Sequence, residues 1–164
     1  MAVQQGGDIV VSWGEKTGGG NFAAFARRIS PQGTPLGDEI LVGHAGNSLL
    51  PQVRVAALDN GHFAVAYEAS DHPQTSGPYR AIVQRLRQRG PHWGGFLPME
   101  RIMEGDQRTP AITGLRRMGL AMAWRAPDGR LNGVWVQPVD RNGNPIGRPE
   151  RANTTIPGNQ FDPA

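Results

Sequence analysis

"QGTPLG" at residues 32–37 comes back as "RGPHWG" at 89–94 and again as "NGNPIG" at 142–147. Gly33, Gly90 and Gly143 fall in line, and so do Gly37, Gly94 and Gly147. An apolar residue, Leu36, Trp93 or Ile146, stands before each second glycine. Glycines around a proline are turn chemistry, because glycine supplies positive φ and proline presets its own. One turn written three times implies one supersecondary unit built three times.

Two further landmarks keep the same phase. "GNSLLP" (46–51), "GDQRTP" (105–110) and "GNQFDP" (158–163) each precede an apolar run. "DIVVSW", "HFAVAY" and "GLAMAW" end on Trp13, Tyr67 and Trp124, at spacings of 54 and 57 residues. Counting from Trp124 through the C-terminus back to Trp13 gives 53, and Pro163 to Trp13 across the chain ends is 14, as Pro110 to Trp124 is. The expectation is a single domain, 1–164, of three repeats: about 1–50 with 158–164 completing the split repeat, 51–104, and 105–157.

Within the middle repeat the sequence predicts four strands, "PQVRVAAL" (51–58), "HFAVAYEA" (62–69), "YRAIVQRL" (79–86) and "PMERIM" (98–103). Apolar residues occupy both alternating sets of the third strand: Phe25, Ile82 and Trp135 on one, Ala26, Val83 and Val136 on the other. A strand apolar on both faces needs cover on both faces. No stretch carries a 3.6-residue period with caps, and Gly (23) and Pro (14) interrupt any that begins. The fold class expected is all-β, with three four-stranded antiparallel propeller-type blades. Propellers typically take about four to eight blades, so three predict half of a six-bladed β-propeller closed by homodimerisation, residues 159–164 of one subunit meeting 1–5 of the other. A β-trefoil, which closes three repeats within one chain, is the alternative.

The strand "GHFAVAY" with "VQRLRQRG", and "VQPVDRNGNPIG", resemble the tandem blade-like repeats of large secreted or surface proteins of bacteria. The resemblance implies blades and a secreted, surface or particle-associated setting. It does not extend to calcium, because the glycine-aspartate nonapeptides that accompany such repeats are missing here, and Arg27 replaces the glutamine seen at Gln84 and Gln137.

Chemistry is sparse. Without cysteine there is neither a thiol nucleophile nor a disulfide frame. His44, His62, His72 and His92 have no metal-ligand spacing. "DRNGN" (140–144) opens like a calcium loop, but Pro145 and Arg151 stand where glycine and glutamate are required, so a tight turn is expected. "GGGN" (18–21) reads as a hairpin tip. No apolar leader or 18-residue apolar run is expected, and the net charge of +3 gives no case for nucleic acid. The expected function is non-enzymatic binding of a glycan or protein partner by loops or blade-junction grooves, without cofactor or metal. A structural assembly role and a hydrolase with loop-borne residues are the alternatives. The candidate ligand-binding residues are Trp13, Glu15, Tyr67, Glu68, Trp124 and Arg125 around the strand-ending aromatics, with Arg85 and Arg87 from an arginine stripe; packing and solvated surface are the competing roles for these same side chains.

Overall fold

Short apolar runs bounded by glycine and proline form antiparallel strands throughout the described residues. The computed structural model describes residues 1–46, 52–70, 78–87, 97–98, 105–116, 119–154 and 158–164. The strands are β1 (Ala2–Val3), β2 (Ile9–Lys16), β3 (Phe22–Ile29), β4 (Ile40–Gly46), β5 (Val53–Ala57), β6 (Phe63–Ser70), β7 (Tyr79–Leu86), β8 (Leu97–Pro98), β9 (Arg108–Leu115), β10 (Gly119–Pro127), β11 (Asn132–Val139) and β12 (Glu150–Arg151). They make three antiparallel sheets, β1–β4, β5–β8 and β9–β12, each in sequence order. The described residues contain no α-helix, only single 3-10 turns at Gly18–Gly20 and Asp59–Gly61.

The aligned sequence positions are equivalent in space. Trp13 lies opposite Phe25, Tyr67 opposite Ile82, and Trp124 opposite Trp135, one pair in each sheet. The glycine–proline turn is also the same object twice. Ser30 N–H donates to Thr34 O and Gly33 N–H to Ser30 O; Asp140 N–H donates to Asn144 O and Gly143 N–H to Asp140 O. Gly33 and Gly143 take φ of 87° and 95°, a conformation that strains any residue with a Cβ. The third copy, 89–94, lies outside the described residues, as do residues 99–103 of the predicted strand "PMERIM", of which Leu97–Pro98 is described.

The first repeat departs from its neighbours. Its leading strand β1 has two residues, against eight in β9, and residues 158–164 form no strand in the single chain.

The sheets stack face to face with the second in the middle. No strand pairs across sheets among the described residues, so contact between repeats is packing and not the shared barrel of a trefoil. Strand β6 is buried along nearly its whole length. Phe63, Val65, Tyr67 and Leu86 of the second sheet pack on Val10, Ala24, Ala26 and Val42 of the first. On the opposite face Ala64, Ala66, Ala81 and Val83 receive Leu120, Met122 and Trp124 of the third. Along its central strands each interface therefore sets a bulky row against a small-residue row. The innermost strands approach closely: a Cβ on Gly114 of β9 would lie 2.2 Å from the Ala57 carbonyl oxygen of β5.

Trp124 has no exposed surface, so Trp124→Ala leaves a large cavity between the second and third sheets. Equilibrium urea unfolding is expected to show a loss of about 3–5 kcal/mol.

Candidate functional site

The eight candidate residues separate into internal and accessible groups. Tyr67 and Trp124 are 1% and 0% exposed between sheets, where they act as packing and a ligand cannot reach them. Their equivalent Trp13 is half-buried, stacked on Phe25 with ring centroids 6.0 Å apart, and its indole N–H lies 3.3 Å from the carboxylate of exposed Glu15. The difference follows from position: the first sheet has no sheet over its aromatic face, and the second and third have one.

Glu68 is buried at the seam of the second and third sheets. Its carboxylate accepts the Thr109 N–H at 2.5 Å, and Arg108 lies 3.9 Å away. Burial pushes this carboxyl above its ordinary value, against the Thr109 hydrogen bond and the neighbouring arginines. Arg125, its equivalent in the third sheet, is half-buried and faces the Phe161 ring at 5.6 Å.

The arginine stripe divides between the seam and the surface. Arg85 is 5% exposed; it donates from Nη1 to the Arg141 carbonyl and from Nη2 to the Asn142 carbonyl at 2.6 Å, clamping the third sheet's turn onto the second. Its desolvation holds the guanidinium below the usual arginine value. Arg28, at the same aligned position in the first sheet, pairs with Asp8 and with the Gln4 side-chain oxygen. Arg27 reaches the Gly37 carbonyl at 3.2 Å and Glu39 at 3.6 Å. Arg87 is exposed. Arg89 and Arg117 lie outside the described residues.

Two buried glutamines explain a sequence signature that composition could not. Gln137 Nε2 donates to the Pro138 and Ile146 carbonyls, both at 2.9 Å, and so ties strand β11 to the turn that follows it. Gln84 Nε2 donates to the Arg85 carbonyl at 3.0 Å. Arg27 occupies this position in the first sheet and makes the same kind of bond to its own turn.

Among the described residues the accessible surfaces include the two outer faces and several recesses. On the first sheet Val11 and Leu41 are 36% and 40% exposed beside Trp13 and Phe25. On the third sheet Ala121, Ala123, Val134 and Val136 are half-buried and belong to neither core cluster. A recess of about 630 Å3 opens where the innermost strands end, among Val3, Gln5, Leu58, Asp59, Leu115 and Arg116. A smaller cavity of about 110 Å3 lies under the Arg85 clamp, between His62, Asp59 and Arg141. No group of three or more potential metal ligands occurs among the described residues, and none of their helices is long and apolar enough to cross a membrane. Comparison with family models, with curated proteins and with solved structures finds no match.

"DRNGN" is a turn built on Asp140. Its carboxylate accepts the N–H groups of Asn142 and Asn144 at 2.8 Å and the Asn144 amide at 3.0 Å. These donors, Asn144 foremost, hold Asp140 below the ordinary Asp value of 3.8. A carboxyl lowered by folding stabilises the fold above its unfolded value, and that contribution is lost as pH falls through the folded one. Melting temperatures at pH 6 and pH 3 (conditions in the regime set by reference carboxyl values) are expected to differ less for Asp140→Asn than for the unsubstituted chain.

Proposed function

We propose that this protein is a binding module that works as a ring, two copies closing six propeller-type sheets around a common axis. The observation that carries the reading is the pairing rule of the stack. Both internal interfaces join a bulky face to a small-residue face. The two faces left over are one of each: Val11, Trp13, Phe25 and Leu41 on the first sheet, Ala121, Ala123, Val134 and Val136 on the third. The leftovers are complementary to one another, and neither is complementary to itself. A second copy related by a two-fold axis satisfies both pairs at once, the usual route for soluble oligomers. Closure removes apolar surface from water at two places and repeats the hairpin loops around each rim. Loops on a rigid frame are where specificity is carried, and a glycan or protein partner engaging several gains avidity.

The unsubstituted chain is expected to run in light scattering at twice its 17.7 kDa mass. Ala123→Asp places an unpaired carboxylate in the new interface, an environment that costs several kcal/mol. It is expected to give a folded monomer with unchanged far-UV circular dichroism. A monomeric unsubstituted chain, or a dimer indifferent to Ala123→Asp, overturns the reading. On an array of glycans and surface proteins, the dimer is expected to retain partners that the monomer releases.

A further inference from the structure

The chain's last residues follow the path by which the second sheet hands over to the third. Gln107, just before β9, donates its N–H to the Tyr79 carbonyl at 2.8 Å, at the start of β7. Gln160 donates its N–H to the Asn132 carbonyl at 3.1 Å, at the start of β11. These are the same two positions, 53 residues on. Among the described residues only two non-glycine residues have positive φ, Thr109 at 50° and Asp162 at 47°, and they too are 53 apart. Left-handed backbone is costly for a residue with a Cβ, and for a β-branched threonine it is an outlier. A shared bend at matching positions therefore marks a shared route. Side chains agree as well: Arg108 reaches Glu68 at the end of β6, and Phe161 faces Arg125 at the end of β10.

After its bend the second-to-third link becomes β9, which pairs with β10 from Arg108↔Arg125 through Ala111↔Ala123 to Leu115↔Gly119. The first sheet holds only the far end of the equivalent strand. Its β1 pairs Ala2 with Val10 and Val3 with Ile9. Among the described residues, the edge of β2 from Val11 onward has no strand partner on that side. The positions missing there correspond to Arg108–Ala111, and these match Phe161–Ala164. The three most exposed large apolar side chains described are Met1 at 88%, Val3 at 63% and Phe161 at 60%, all in these two segments.

We propose that residues 161–164 of one copy are donated to the first sheet of a second copy. There they pair antiparallel with β2, Ala164 opposite Ser12 and Phe161 opposite Gly14, in line with β1. This is strand addition at a sheet edge, in which main-chain hydrogen bonds supply affinity. It rests on the face pairing proposed above, which sets the first sheet of one copy against the third sheet of the other.

The chain has no cysteine, so a register test is clean. Ser12→Cys combined with Ala164→Cys is expected to form a disulfide between copies on mild oxidation, visible as a covalent dimer on a non-reducing gel. Ser12→Cys with Phe161→Cys, offset along the strand, is expected to cross-link far less. Removal of residues 161–164 is expected to raise the dimer Kd by about tenfold or more while each copy stays folded. A dimer that forms normally without cross-linking at Ser12 and Ala164, and that tolerates the truncation, overturns strand donation and leaves face pairing standing. A monomeric unsubstituted chain overturns both.

Discussion

Everything in this architecture depends on one steric rule: a sheet with a bulky face and a small face can be covered only by a neighbour turned the same way. At the aligned position the bulky residue is Trp13, Tyr67 or Trp124, and the residue before it is Ser12, Ala66 or Ala123. Packing at organic-crystal density leaves no room for two rows of aromatics between sheets, and two rows of alanines would leave a void. The order of sheets, the burial of β6 and the location of the uncovered apolar surface all follow from this alternation.

Polar side chains then fix the spacing that apolar packing leaves soft. The Arg85 guanidinium, with two carbonyl acceptors across the seam, and the Gln137 amide, with two on its own turn, are directional where dispersion is not. Glu68 does similar work at the other end of the seam by accepting the Thr109 N–H. A buried guanidinium or carboxylate is tolerated because these partners replace lost water. Arg85 of the arginine stripe, and Arg28 at the matching position of the first sheet, are internal fasteners.

The strand pattern was legible because it rests on local chemistry. Alternation over 63–70 and glycine at Gly33 and Gly143 need no knowledge of distant residues, and the equivalence of Tyr67 with Trp124 and of Ile82 with Trp135 follows from aligning the repeats, although their pairing across strands is seen only in the structure. The fate of individual aromatics was not legible. Trp13 and Trp124 occupy one sequence position, yet one is half-buried and the other sealed, because burial depends on which sheet comes next in space. The glutamine before Arg85 or Pro138 stood out as a motif, but its reason, seen at Gln137 as a bond from the side chain to the following turn, appears only once the strand is bent back on itself. The two positive-φ residues gave no signal at all, since neither threonine nor aspartate before proline announces a left-handed bend.

The stack also has polarity, with a large-residue end and a small-residue end that differ as a head differs from a tail. Contacts of that kind propagate in one direction, and only the rotation accumulated across three sheets decides whether the second copy returns to the first. If that rotation amounts to half a turn, the assembly ends at two; if it falls short, the same surfaces generate an open helical fibre. The hinge in this choice is the spacing between sheets, which residues such as Gly114 set through the close passage of β9 by β5. Substitutions there would strain the seam and, by changing that rotation, bear on the choice between a finite particle and a polymer.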